Sequence, residues 1–277
     1  MDNRSVNKSQ LARDLGISRS TLYYHPKQPE KDHILREQIL DVLSRHPAYG
    51  YRRVAIALGV NKKRVQRVMH LYKIRPYKRK ARWKKRRDER TPATKYQNLI
   101  KEKLPTNPNH TYVSDFTYIK HYGKYVYLAT YMDLCTREVV GWNVSTKHTK
   151  EFVIGALVDS FINRSTLPDI VHSDQGSEYR SKEYTGLVEG LGIQISMSAK
   201  SSPWENGYQE SFYNNFKTEL GLEFERFRTL GELVEGIHQT IHYYNNERIH
   251  SSLKMPPAEY RKKLVQDSEL LSDKWGS

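Results

Sequence analysis

The order of strand-like and helix-like segments between residues 105 and 225 is the feature that most constrains the fold. Three runs rich in β-branched and aromatic residues come first, at Tyr112–Ile119, Tyr125–Met132 and Val139–Val144. Short turn-forming segments separate them, which predicts a three-stranded antiparallel meander. Helices and strands then alternate, at Glu151–Ile162, Asp169–His172, Lys182–Leu191, Gln194–Met197 and a final helix after Pro203. This order predicts an α/β layer.

Three acidic residues accompany these elements. Asp115 and Asp174 each stand at the end of a strand-like run, and Glu210 lies on the final helix, with 35 residues between it and Asp174. An apolar stripe of Phe212, Phe216 and Leu220 predicts which side of that helix packs on the core, and Glu210 falls on another side. Glu205 is the alternative to Glu210, but its place near the helix start suits a partner of the helix dipole.

Three carboxylates that meet in space repel one another and need a cation to neutralise them. Oxygen ligands favour Mg²⁺, with Mn²⁺ as a substitute, over zinc. Two such ions about 4 Å apart can activate a water or a 3′-hydroxyl and stabilise the leaving oxygen in an in-line displacement. The pattern therefore predicts phosphodiester chemistry at Asp115, Asp174 and Glu210.

Four short segments carry a resemblance to a known family. They are Ser114–Tyr118, His172–Ser177, Glu205–Phe212 and Tyr244–Leu253. Together with the spacing of the acids, they resemble the Asp-Asp-Glu transposases and integrases, and most closely the OrfB-type transposases of the IS-three insertion-sequence family.

The resemblance implies a ribonuclease H-like integrase core in which the first strand is central and pairs with the fourth, so that Asp115 lies beside Asp174. It implies that Lys217, seven residues after Glu210, meets a DNA phosphate. It also implies binding to the terminal inverted repeats of a mobile element, followed by DNA cleavage and strand transfer. Relatives are often made as a longer product with an upstream reading frame, which is a further candidate partner. Because two DNA ends must be held together, we expect at least a dimer on DNA.

The charge balance agrees with a nucleic-acid partner. The formal net charge is +15 and the pI is about 9.6, and a positive field of this size attracts polyanions. No segment is apolar enough to span a bilayer or amphipathic enough to lie on one. The single cysteine, Cys135, excludes an internal disulfide and suits a reducing compartment. We expect a bacterial cytoplasmic protein associated with the nucleoid.

The N-terminal region contains a repeat typical of helix-turn-helix motifs. Leu11–Leu22 aligns without gaps on Val54–Val65, and both segments carry a glycine for the turn followed by Ser18 or Asn61 as an N-cap. An ordinary pair of packed helices is the alternative. The repeat predicts DNA-binding helices with exposed candidates at Arg19, Ser20 and Thr21 in the first motif and at Lys62, Lys63, Arg64 and Arg67 in the second.

A dense basic run follows. Residues 73–87 hold ten lysines and arginines and no acid, which predicts a solvated linker that follows DNA phosphates when DNA is bound. Its predicted contacts are Lys78, Arg79, Lys80, Arg82, Lys84, Lys85, Arg86 and Arg87. Towards the C-terminus, Arg248 and His250 are candidates for packing on the core or for DNA contact, and packing is favoured.

We divide the chain into a first helix-turn-helix (1–30), a second helix-turn-helix (31–75), a basic linker (76–104), the catalytic core (105–225) and a C-terminal helix with a tail (226–277). In this last part, Pro256 and Pro257 are predicted to end regular structure. Two other functions remain open at this point. One is a nuclease of the same fold, which needs no recognition of element ends. The other is a non-enzymatic DNA-binding regulator, against which the three acids and Lys217 argue.

Overall fold

The computed structural model describes residues 7–23, 28–78, 95–101, 104–199, 207–221 and 226–275, with side chains described up to residue 267. Five strands form one mixed sheet in the order β3-β2-β1-β4-β5. They are β1 Thr111–His121, β2 Lys124–Asp133, β3 Val139–Ser145, β4 Ile170–Ser173 and β5 Gln194–Met197. The predicted meander, the central first strand and its pairing with the fourth strand are confirmed.

The sheet is antiparallel on one side and parallel on the other. β1 pairs antiparallel with β2, and β2 with β3, whereas β4 is parallel to β1 and to β5. Tyr122 and Gly123 take positive φ angles of 44° and 78° in the β1–β2 turn, as a two-residue hairpin requires.

Four helices belong to the core and its C-terminal extension on the two sides of this sheet. They are α5 Lys150–Arg164, α6 Lys182–Gly190, α7 Gly207–Leu220 and α8 Leu230–Asn246. The aromatic face of α7 packs with α8 and with one face of β1 and β2, while α5 and α6 cover the opposite face. Thr229 caps α8 by accepting a hydrogen bond from the Glu232 N–H at 3.1 Å, as the capping-box pattern predicts.

The predicted C-terminal tail is wrong. The structure has a helix, α9, at Pro257–Trp275. Proline fits the first position of a helix, where its missing N–H would have no partner inside the helix. Pro257 therefore begins regular structure instead of ending it.

A helical unit precedes the core. It consists of α2 Gln28–Arg45, α3 Tyr51–Ala57 and α4 Lys62–Leu71, which share an apolar core that includes Leu35, Ile39, Val54 and Val65. α3 and α4 form the predicted second helix-turn-helix, with Gly59 at φ +62° in the turn and Asn61 capping α4. α2 begins at Gln28 and so crosses the boundary that we drew at residue 30.

The first motif differs from the prediction. α1 Lys8–Asp14 and the positive φ of Gly16 are present, but a short 3-10 helix at Arg19–Tyr23 replaces the expected second α-helix. The Ser18 hydroxyl lies 2.7 Å from that of Ser20 and 2.8 Å from that of Thr21. Such local hydrogen bonds compete with α-helix formation.

Both described ends of the predicted linker are packed. The Tyr77 N–H donates to the Pro47 carbonyl at 2.8 Å, and its hydroxyl donates to the Gly221 carbonyl at 3.0 Å. Farther along, the Leu99 N–H donates to Ser196 Oγ at 2.9 Å, and Ile100 enters the core. These two segments therefore belong to the folded unit and not to a solvated linker.

Candidate active site

Two of the predicted catalytic acids lie at the same level of neighbouring strands. Val113 of β1 pairs with His172 of β4, so Asp115 and Asp174 each stand two residues beyond a paired position. Because the two strands are parallel, both aspartates lie at the same level along the strands, where β4 ends. The backbone N–H of Phe116 donates to Asp115 Oδ1 at 2.8 Å, and that of Gly176 donates to Asp174 Oδ1 at 2.9 Å.

Gly176 is required by a close approach to this site. A β-carbon at this position would lie 3.0 Å from Asp174 Oδ1 and 3.3 Å from Glu178 Oε2. Contacts this short would displace one of the two carboxylates. The Glu178 carboxylate is buried and accepts from Ser177 Oγ at 2.9 Å, and it lies 2.7 Å from His148 Nδ1.

Helix α7 is attached to β1 by two polar side chains that the sequence prediction missed. Gln209 Nε2 donates to the Val113 carbonyl at 2.7 Å, and the Tyr213 hydroxyl donates to the Asp115 carbonyl at 2.6 Å. Both residues are buried. Their spacing from Phe216 and Leu220 follows the i, i+4, i+7, i+11 pattern of a buried helical stripe, which is the signal that could have identified them.

Glu210 and Lys217 occupy another side of α7. Glu210 is exposed in the first turn of the helix. Two turns later, the ammonium group of Lys217 lies 4.9 Å from the ring centre of Tyr118 on β1. Gln209 and Tyr213 flank Glu210 in the sequence and fix the start of the helix against the strand that carries Asp115.

The charges of these residues meet at Asp115. Burial raises the pKa of Asp115 well above its usual value, and the carboxylates of Asp174 and Glu210 raise it further. The Phe116 N–H and the Lys217 ammonium act in the opposite direction. Burial also raises the pKa of Asp174, as does the carboxylate of Glu178. The three predicted acids and Lys217 therefore share one electrostatic environment, which we call the carboxylate site.

The carboxylate site suits a divalent cation in its chemistry. All three side chains offer oxygen donors, and their mutual repulsion at Asp115 would be relieved by a cation. Among the residues that the structure describes, no three His, Cys, Asp or Glu side chains are already gathered as a ligand set. Glu210 is the exposed member of the three.

Comparison with known proteins places this core in a family. Residues 105–203 and 191–257 match models that are both described as an integrase core domain. InsK of insertion sequence element IS150 from Escherichia coli (strain K12) is 32% identical over 264 residues, which cover 91% of this chain and 92% of that protein. The transposase for insertion sequence element IS904 from Lactococcus lactis subsp. lactis (strain IL1403) is 35% identical over 237 residues, covering 82% of this chain and 92% of that protein.

The chain belongs to the IS-three family of insertion-sequence transposases. As a member of this family, the transposase is an Asp-Asp-Glu polynucleotidyl transferase that acts on DNA. Its activity belongs to DNA transposition and integration.

A solved structure supports the ribonuclease H-like fold. A chain of the simian T-cell lymphotropic virus intasome, determined in complex with PP2A regulatory subunit B56 gamma, resembles the transposase with a TM-score of 0.52. The two share 15% sequence identity, and the match covers 80% of the transposase and 74% of the other chain. The predicted α/β class and integrase core are confirmed.

The predicted DNA contacts of the second helix-turn-helix divide into two groups. Lys62, Lys63 and Arg64 are exposed at the start of α4. Arg67 instead donates to both carboxylate oxygens of Asp32, which is buried. The hydrogen bonds from Arg67 lower the pKa of Asp32. Arg67 therefore stabilises the helical unit, and we leave it out of the proposed DNA-binding surface.

The remaining predicted DNA contacts are either exposed or lie outside the described residues. Arg19, Ser20 and Thr21 are exposed on the 3-10 helix, and Lys78 is exposed at the end of a described segment. Arg79, Lys80, Arg82, Lys84, Lys85, Arg86 and Arg87 lie outside the described residues, as does Glu205. Throughout the described part of the transposase, no helix is long and apolar enough to cross a membrane.

Proposed function

We propose that the transposase binds the terminal inverted repeats of its insertion sequence, cleaves the DNA there to free 3′-hydroxyl groups, and joins them to another DNA strand. The reaction takes place at Asp115, Asp174 and Glu210. The observation that carries this proposal is the position of Asp115, whose pKa is raised by both other acids and lowered by Lys217. Three residues that are distant from Asp115 in the sequence thus act on its carboxyl group.

The three carboxylates are the proposed ligands of two Mg²⁺ ions, with Mn²⁺ as a substitute. Asp115, Asp174 and Glu210 would hold the ions through their carboxylate oxygens. When bound, the ions lower the pKa of the attacking water or hydroxyl and stabilise the leaving oxygen. The N–H groups of Phe116 and Gly176 each hold one oxygen of their aspartate and so orient the carboxyl groups.

The other residues of the site hold the DNA and the helix in place. Lys217 is proposed to meet a phosphate of the strand being cleaved, since it lies on the same side of α7 as Glu210. Its contact with the Tyr118 ring restricts where the ammonium group can reach. Gln209 and Tyr213 are positioning residues, because they bond the start of α7 to β1 and not to substrate.

Recognition of the element ends is assigned to the helical unit and the basic run. Lys62, Lys63 and Arg64 are suited to reach base edges or phosphates from the N-terminal end of α4. Arg19, Ser20, Thr21, Lys78 and the basic residues that follow are proposed to contact the DNA backbone. At least two copies of the chain assemble on DNA, since two ends react together. We place this activity in the bacterial cytoplasm, at the nucleoid.

Supercoiled plasmids with and without a pair of element ends test the proposal. We expect Mg²⁺-dependent nicking at the ends and joined products only from the plasmid that carries them. Equal cleavage of both plasmids would instead support a nuclease of the same fold. Binding to the ends without any cleavage, under conditions that support both ions, would support a DNA-binding regulator.

A further inference from the structure

A cluster of basic side chains lies on the side of α7 that is away from Glu210. A cavity of about 400 Å³ opens between the β2–β3 turn, the N-terminal half of α7 and the segment that follows α8. Its polar lining consists of Arg137, Ser211, Asn215, Arg248, His250 and Ser252. We call it the basic cavity. Ser211 and Asn215 follow one stripe of α7 and Glu210 and Lys217 another, so the helix separates the cavity from the carboxylate site.

Three residues that line the basic cavity each have a buried nitrogen with no hydrogen-bond partner among the described residues. Arg137 Nη1, Arg248 Nη2 and His250 Nδ1 are buried and make no hydrogen bond to any described residue. The side chain of Arg248 is only 1% exposed, so water does not replace the missing partner freely. A buried polar group without a partner is costly, and three residues of this kind around one cavity call for an acceptor that binds there.

Among the described residues that line the basic cavity, basic side chains outnumber acidic ones. Arg53 joins the cluster by donating to Asn215 Oδ1 at 3.2 Å. The guanidinium groups of Arg248, Arg137 and Arg53 all act on His250. Glu219 pairs with Arg248 Nε, and its other oxygen has no partner among the described residues. Burial and then Arg248 lower the pKa of Arg53, and burial followed by Arg248 lowers that of His250 to about 4. An anion would relieve this repulsion.

The two arginines that line the cavity are held in fixed positions. Arg137 stacks 3.9 Å from the ring centre of Tyr208, and its backbone takes a φ of +64°, which is rare for arginine. Arg248 lies 5.4 Å from the ring centre of Tyr244 and is bonded to Glu219. A planar guanidinium held in this way is well suited to bind two oxygens of a phosphate group.

We propose that the basic cavity is a phosphate-binding site, distinct from the carboxylate site, with Arg137, Arg248 and His250 as its nitrogen donors. Its ligand is one phosphate group, supplied either by a DNA backbone or by free phosphate. The site goes beyond the proposed function, because it requires neither metal ions nor strand cleavage. It also gives a role to the polar segment Tyr244–Leu253, which supplies two of the three donors.

Arginine modification of the intact wild-type chain tests the site without any substitution. Phenylglyoxal reacts with accessible guanidinium groups, and mass spectrometry reports the reaction at Arg137. We expect millimolar inorganic phosphate, or a short DNA duplex, to protect Arg137 compared with chloride at equal ionic strength. Protection by phosphate alone identifies free phosphate as the ligand, whereas protection by DNA alone identifies the DNA backbone.

The variant Arg137→Gln gives the second measurement, with Arg226→Gln as its control, because Arg226 also stacks on an aromatic neighbour but lies outside the basic cavity. If the ligand is DNA, R137Q lowers the affinity for duplex DNA. It also reduces the slope of log affinity against log salt by about one. R226Q changes neither quantity. For free phosphate, R137Q abolishes the rise in melting temperature that phosphate causes. The proposal is overturned if neither anion protects Arg137 and R137Q behaves like R226Q.

Discussion

The buried hydroxyl of Tyr213 joins α7 to β1 directly behind Asp115. It donates to the Asp115 carbonyl at 2.6 Å and lies 2.9 Å from Thr130 Oγ1. Tyr213→Phe keeps the ring in the core but leaves these buried groups short of a partner, at a cost of about 1–3 kcal/mol. Since a misplacement of about 1 Å can cost a hundredfold in rate, we expect cleavage to fall roughly tenfold to a hundredfold while binding of the element ends is unchanged.

Tyr122→Phe is the matched control for this prediction, because Tyr122 lies in the β1–β2 turn and is 67% exposed. Cleavage rates at saturating DNA, together with end-binding affinities, are the measurements. A Tyr213→Phe enzyme that cleaves as fast as Tyr122→Phe would show that this hydrogen bond does not position the carboxylate site.

Among the elements, α4 carries three exposed basic residues at its start and a fourth, Arg67, that pairs with Asp32. The triple variant Lys62→Gln, Lys63→Gln, Arg64→Gln removes three exposed charges near the N-terminal end of the helix. If all three meet DNA phosphates, the slope of log affinity against log salt should fall by about three. Filter binding over a range of salt concentrations measures it.

Arg67→Gln is the control within the same helix. Its guanidinium is bonded to Asp32, so we expect the salt slope of DNA binding to stay unchanged and the melting temperature to fall. If the triple variant keeps the wild-type slope, the proposed assignment of α4 to DNA binding is wrong.

The elements also show what the sequence could and could not predict. Alternation of β-rich runs and amphipathic segments predicted all five strands, because each element is defined by a local pattern and each turn by its own residues. The central position of β1 was implied by the family resemblance. The 3-10 helix at Arg19–Tyr23 was missed, since hydrogen bonds from Ser18 decide it. α9 was missed because Pro257 was interpreted as a stop, although the structure has it at the first helical position.

Prediction of the site had a similar limit. The resemblance implied that Asp115, Asp174 and Glu210 lie together, and in the fold their charges share one environment. Gln209 and Tyr213 were missed because a polar side chain in an apolar stripe acquires its role only from its partners on another strand. The pairing of Arg67 with Asp32 was missed for the same reason, since Asp32 lies 35 residues earlier in the sequence.

At the scale of the whole molecule, the helical unit is docked on the core by long-range contacts. His46 Nδ1 lies 2.7 Å from the Tyr243 hydroxyl, and the Ile249 N–H donates to the Tyr49 hydroxyl at 2.7 Å. Ile249 also packs against the apolar core of the helical unit. The segment after α8, which lines the basic cavity, therefore also contacts the helical unit that contains α4.

This interface should make stability depend on pH. Burial lowers the pKa of His46, and burial with the nearby Arg248, Arg137 and Arg53 lowers that of His250 to about 4. A histidine with a lowered pKa binds fewer protons when folded than when unfolded, so stability falls as the pH falls below the ordinary value of about 6.5. For His250 this loss reaches roughly 2–3 kcal/mol by pH 4.

Urea denaturation at pH 7.5 and at pH 5 measures the effect. We expect a lower midpoint for the wild type at pH 5 and a smaller difference for His250→Asn. His242→Asn serves as the control, because His242 is exposed on α8 and should leave the pH dependence as it is. An equal pH dependence in all three proteins would exclude His250 as its source.

The most direct test of the account is strand cleavage by Asp115→Asn, Asp174→Asn and Glu210→Gln, each compared with Asp169→Asn, which alters an exposed acid just before β4. On DNA that carries the element ends and in the presence of Mg²⁺, we predict that each of the three variants loses cleavage by at least about a thousandfold and still binds the ends. Asp169→Asn should cleave like the wild type. Cleavage at the wild-type rate by any of the three would contradict the claim that these acids act together on the phosphodiester bond.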